Sequence, residues 1–98
     1  MKRSTAIARL KAREPQLRAL GIASLSLFGS TARGEAGPAS DVDLAARFEH
    51  EAGVGMFRFA EIAQTLTELL ETPVDLVGEP ARSARMQRQI DRDRVRVF

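Results

Sequence analysis

The sequence predicts an α/β domain of the α+β kind, a small mixed sheet of three to four strands packed against helices. Three observations carry this. Val42, Leu44, Ala46 and Phe48 alternate with Asp41, Asp43 and Ala45, the period of a strand with one buried face. Between Met56 and Glu71, the residues Phe59, Ile62, Ala63, Leu66, Leu69 and Leu70 form an apolar stripe at helical spacing. Helical and strand patterns then interleave as α-β-α-β-α-β-α, with a fourth short strand at the end. At 98 residues the chain has room for one core, so a single domain spans 1–98.

Taken in order, residues 4–20 read as helix, with Ile7, Leu10, Leu17 and Leu20 near a 3.6-residue period. Ser4 is the predicted N-cap and Gly21 the C′ residue. Pro15 lacks a backbone donor, which predicts a kink or break near Arg13–Glu14. Ile22 to Phe28 is the first strand and ends at a glycine turn. Residues 31–34 form a short helical turn beside Ser30, and Gly34 to Ser40 is a loop marked by Gly37-Pro38. The second strand runs from Asp41 to Phe48, and His50 to Gly55 connects it to the helix from Met56. Thr72-Pro73 ends that helix. Val74 to Val77 is the third strand, Gly78 to Pro80 a turn, 81–92 a helix with Met86 and Ile90 inward, and Arg94 to Phe98 a short last strand.

The net charge of +2 conceals a strong segregation: +5 over 1–40, −7 over 41–79 and +4 over 80–98. Such a chain could face nucleic acid or a charged protein, or simply carry solvated helix faces and internal ion pairs. With no Cys, disulfides and thiolate metal sites are excluded. The absence of a signal-peptide pattern and of a long apolar run predicts a soluble, cytoplasmic protein with no membrane contact.

The chemistry concentrates in Phe28–Leu44, FGSTARGEAGPASDVDL. Gly29 lets backbone approach a phosphate, and Ser30 offers a hydroxyl and an N–H to its oxygens. Asp41 and Asp43 fall on one face of a strand, where paired carboxylates suit Mg²⁺ bridged to substrate phosphates. In the third strand Asp75 points the same way if the apolar faces pair together. Three carboxylates then converge on the solvent side of the sheet, where mutual repulsion raises at least one pKa. Each residue also has a plainer reading. Ser40 could be only a turn residue, Arg33 an exposed ion-pair partner, Gly34 a carrier of positive φ, and Asp-x-Asp a polar strand face.

The ordered spacing GSTARGEAGPASDVDL resembles the nucleotidyltransferase signature G-S-x-A-R-G-x-x-x-x-x-S-D-x-D-L of the DNA polymerase beta superfamily. More narrowly, the chain is similar to the minimal nucleotidyltransferases (MNT), small proteins encoded beside a HEPN-domain partner. The resemblance spans nearly the whole chain, from the leading helix through LFGS, SDVDLA and PVDLV to the last helix and strand. It implies a polymerase beta-like nucleotidyltransferase fold. By position it implies that Gly29 and Ser30 contact nucleotide phosphates, that Asp41 and Asp43 are paired metal ligands, and that Asp75 is the third carboxylate. Arg33, Gly34 and Ser40 belong to the motif with less defined roles. The implied chemistry uses two Mg²⁺ ions and ATP as substrate, with in-line displacement at the α-phosphate and release of pyrophosphate. The implied role is that of a type II antitoxin that transfers AMP to a tyrosine of a HEPN toxin.

Two features are compatible with that role. A chain this short has no separate acceptor-binding domain, so the acceptor docks as a partner protein. It contains no Tyr, so it cannot modify itself on tyrosine. The competing expectations are a catalytically silent antitoxin that neutralises by binding, and nucleotidyl transfer to a small molecule, which usually needs a more enclosed pocket. A nucleic-acid substrate is disfavoured because no template-binding module fits. A small core also favours a homodimer or an assembly with the partner. His50 reads as an exposed loop histidine. Of Phe57 and Phe59, one is core and the other an interface residue. Arg82, Arg85, Arg88 and Arg92 run down one helix side, either as a solvated face or as a contact for an acidic partner or nucleic acid.

Overall fold

The computed structural model describes residues 1–98, with every side chain except that of Glu51. The predicted break divides the first helix into α1 (Arg3–Lys11) and α2 (Glu14–Ala19), with Pro15 in the first turn of α2, where its missing donor costs nothing. Lys2 rather than Ser4 precedes α1, and no side chain caps it. Gly21 follows α2 at φ +108 and donates its N–H to the Arg18 carbonyl, as a C′ glycine does.

β1 (Ile22–Phe28) leads into α3 (Gly29–Arg33). The helical turn begins on Gly29 and not at residue 31, because the positive φ of Gly29 turns the chain directly after Phe28. β2 (Val42–Phe48) starts one residue after Asp41, and a short 3₁₀ turn (His50–Ala52) leads toward α4 (Met56–Leu70). β3 (Val74–Gly78), α5 (Ala84–Asp93) and β4 (Val95–Arg96) complete the chain. α5 starts later than the predicted 81 because Ser83 caps it, its Oγ accepting the Met86 N–H at 3.0 Å. The Ala81 N–H is held instead by the Gln87 side chain at 2.8 Å.

The sheet order is β3-β2-β1-β4, with β2 and β3 parallel and the other pairs antiparallel. α4 supplies the crossover that a parallel pair requires. One face of the sheet carries the main core: Leu25, Leu27, Val42 and Leu44 pack under Leu10, Leu17, Ile62 and Leu66, all fully buried. The opposite face bears Phe28 and Ala45, and Ile90 of α5 covers them, with Met86 and Val77 at the margin. The expected solvent-facing side therefore holds at the carboxylates, where Asp41 and Asp75 are exposed, and is corrected only around Phe28 and Ala45, which α5 covers. Ile90 and Met86 give α5 an apolar side that needs burial, and Phe28 and Ala45 are the surface it buries against.

A polar network fastens α5 in place. The carboxylate of Glu79 is only 1 % exposed and accepts from Arg94 at 2.9 and 2.6 Å and from Gln87 at 2.9 Å. Arg94 also reaches the Ser26 hydroxyl on β1 and Asp91 on α5. The Arg94 hydrogen bonds hold the Glu79 carboxyl below its ordinary pKa, against the opposing effect of burial. Its contribution to stability is therefore present above the ordinary carboxylate range and is lost as pH falls through that range to the depressed value. Glu79→Gln is expected to cost about 2–3 kcal/mol at pH 7, below the range for a fully buried pair because Arg94 keeps some solvent contact. The cost should shrink toward pH 3, as urea unfolding curves at the two pH values would show.

Candidate active site

Strand register assembles the site. Asp43 is the parallel neighbour of Asp75 across β2–β3, so both carboxylates leave the same face of the sheet. On its other side Asp43 opposes Phe28 across the antiparallel β1–β2 pair. The Gly29–Ser30 turn, which follows Phe28 directly, is thus brought against Asp43. Gly29 is buried at φ +71, and a Cβ there would run into the Asp43 carboxylate. Two independent constraints, left-handed backbone and lack of space, therefore require glycine at this position.

The remaining motif residues have distinct placements. Asp41 is exposed just ahead of β2. Ser40 closes the turn before it, its Oγ accepting the Gly37 N–H at 3.0 Å. Gly34 ends α3 in the left-handed region at φ +76, with nothing near enough to obstruct a side chain, so backbone conformation alone explains it. Arg33 is held by two carboxylates: its Nη1 donates to Asp93 at 2.7 Å and its Nε to Glu35 at 2.9 Å. Ser30 is half-buried in the first turn of α3.

The electrostatics centre on Asp43. Burial raises its pKa first, the Asp75 and Asp41 carboxylates raise it further, and only Arg33 opposes them. The group thus stands in an uncompensated negative field. Among the described residues, no three His, Cys, Asp or Glu side chains are gathered into a ready-made metal cage. The donor set nevertheless fits Mg²⁺, which prefers hard oxygens and binds through one or two carboxylates plus substrate phosphates rather than in an all-protein cage. Asp93 shows the reverse behaviour: hydrogen bonds from Arg92, and then from Arg33, hold its pKa below the ordinary value.

Asp93 was not recognisable as part of this region from the sequence. It lies 60 residues from Arg33, and no local spacing signals the pairing. Thr31, at a variable position of the motif, is a second such residue: its hydroxyl is buried without a hydrogen-bond partner among the described residues. A buried unpaired hydroxyl is a cost. Thr31→Val, of nearly the same shape, is expected to leave stability unchanged or raise it by up to about 1–2 kcal/mol, measurable by thermal melting.

Outside the site, His50 is exposed, as read from the sequence. Phe59 packs edge-on against Phe48, with ring centroids 5.9 Å apart. Phe57 is the outward member of its pair at 85 % exposure, with Met56 beside it at 81 %. Among the described residues, no helix is long and apolar enough to cross a membrane.

Comparison with known proteins identifies the family and the fold. Residues 6–97 match the family described as nucleotidyltransferase domain. A solved structure provisionally described as a minimal nucleotidyltransferase is 34% identical, with TM-score 0.81, covering 97% of this chain and 95% of that one. A chain from a toxin–antitoxin structure with AMP-PNP shares the fold at TM-score 0.75 and 24% identity, over 90% of this chain and 72% of that one. So does a chain from the tri-AMPylated Shewanella oneidensis HEPN toxin in complex with MNT antitoxin, at TM-score 0.66 and 22% identity, over 90% and 68%. No curated protein sequence matched.

Proposed function

The chain belongs to the nucleotidyltransferase domain family, and we propose that it transfers AMP from ATP to a tyrosine of a HEPN-domain partner, in the cytoplasm, and thereby acts as an antitoxin. The observation that supports this best is the packing of Gly29–Ser30 against Asp43, itself the register neighbour of Asp75. That arrangement joins a phosphate-approach turn to a carboxylate set.

In this reading Asp41, Asp43 and Asp75 would hold Mg²⁺ together with the triphosphate. The metal would supply charge neutralisation at the α-phosphate and lower the repulsion among the carboxylates. Gly29 leaves backbone room for the phosphates, and Ser30 donates to their oxygens. Asp75, the most exposed member of the register pair, is open to an incoming acceptor. It orients the tyrosine hydroxyl and takes its proton. The tyrosine oxygen forms a new bond to the α-phosphorus, the bond from that phosphorus to the bridging oxygen breaks, and pyrophosphate leaves with that oxygen. Ser40 and Gly34 set the backbone on either side of the intervening loop and need not touch the nucleotide.

The partner assignment rests on family resemblance and on the HEPN complex that shares this fold. The test is intact-mass spectrometry of the adjacent-gene product after incubation with this protein, ATP and Mg²⁺. A gain of one or more AMP units supports the reading. A stable, neutralised complex without mass gain would replace it with binding alone. Neither complex nor gain would move the acceptor to a small molecule.

A further inference from the structure

We propose that Arg85, Arg88 and Arg92 of α5 join Arg33 of α3 in a wall that holds the terminal phosphates of the nucleoside triphosphate; this rests on the nucleotidyl-transfer reading above. A concavity of about 550 Å³ is lined by Arg33, Arg85, Arg88, Gln89 and Arg92. Residues 85, 88 and 92 share one side of the helix at spacings of three and four, away from the sheet-facing Met86 and Ile90. Arg82, in contrast, precedes α5 and lines a different, largely apolar groove.

The charge balance of this concavity is incomplete. Asp93 is 4 % exposed because Arg33 and Arg92 cover it, at 2.7 and 3.2 Å. Among the described residues, neither Arg85 nor Arg88 has a carboxylate within ion-pair distance. Like charges three residues apart on a helix weaken it unless an outside anion is present. Guanidinium groups match phosphate oxyanions in shape and charge.

Location selects which phosphate. α3 begins at Gly29, against Asp43, and ends at Arg33, and Asp93 ties that end to the last turn of α5. A triphosphate whose α-phosphorus is at the carboxylates and whose chain passes Ser30 therefore reaches Arg33 and then α5. The lining has no aromatic side chain on which a base could stack, which disfavours single-stranded nucleic acid. The same wall would hold pyrophosphate after transfer.

The test is calorimetric titration of Mg²⁺-ATP, AMP and inorganic tripolyphosphate into the wild type, Arg85→Gln/Arg88→Gln and a charge-matched control, Arg58→Gln/Arg82→Gln. Circular dichroism would check that all three are folded. The expected result is a loss of roughly tenfold or more for ATP and tripolyphosphate in the α5 variant, with AMP unchanged and the control like wild type. Unchanged ATP and tripolyphosphate affinities would overturn the proposal, and weakened partner binding alone would reassign the wall to an acidic protein surface. Equal losses in the control would overturn it as well, since net charge would then explain the effect. If the wild type binds tripolyphosphate through these arginines but not ATP, the phosphate wall stands and the nucleotidyl-transfer reading fails.

Discussion

Asp43→Asn is expected to abolish transfer while raising the melting temperature of the ligand-free protein. The two effects have one origin. Asp43 is a carboxylate kept partly buried beside Asp75 and Asp41, and its pKa is raised above the ordinary value for those reasons in that order. A raised carboxylate pKa in the folded state means that stability falls as pH rises from the ordinary carboxylate range, about 4, through the raised value. The penalty is fully present above the raised value. Asn keeps the shape and removes the charge, so the penalty disappears, and so does the Mg²⁺ ligand proposed above. Activity should drop by at least ~100-fold, as for loss of a principal electrostatic stabiliser. Melting curves from pH 4 to 8 should show the variant above wild type at neutral pH, with the two converging under acid conditions. Mg²⁺ with ATP should raise the wild-type midpoint and leave that of the variant in place. A variant less stable than wild type at pH 7 would mean that the Asp43 carboxylate supports the fold rather than straining it.

The second large effect is expected at Gly29. Gly29→Ala must adopt φ +71 and place a methyl group against the Asp43 carboxylate. The backbone conformation alone costs about 1–3 kcal/mol in a non-glycine residue, and displacement of Asp43 adds to it. Each kcal/mol lowers the midpoint of a domain this size by roughly 4–8 °C. Gly34→Ala is the internal control. Its φ of +76 is nearly the same, but nothing obstructs the new methyl. The difference between the two variants therefore isolates the conflict with Asp43. A double variant, Gly29→Ala/Asp43→Ala, should be less destabilised than the sum of the single changes, because the carboxylate that collides is gone. Equal midpoints for Gly29→Ala and Gly34→Ala would remove steric contact with Asp43 as the reason for glycine, and with it the close approach on which the site depends.

The legibility of this chain follows from which interactions are local. Alternation in Val42–Phe48 and the stripe in Met56–Leu70 are visible in the sequence because burial repeats with the period of the element itself. The same parity argument put Asp75 on the face of Asp43, since β2 and β3 pair with Val42 and Val74, and Leu44 and Leu76, in register. Gly29, Ser30, Asp41 and Asp43 lie close along one segment, so their spacing carried the family resemblance without any structure. Tertiary structure decided the rest. The covering of Phe28 and Ala45 by α5, the 60-residue reach from Arg33 to Asp93, and the burial of Glu79 by Arg94 depend on where a helix lands after two crossings. So does the meeting of Gly29 with Asp43, which needs the exact register of β1 on β2. Periodicity reports which side of an element is buried; it does not report which partner buries it, because that choice is made by chain entropy, strand register and packing over long sequence separations.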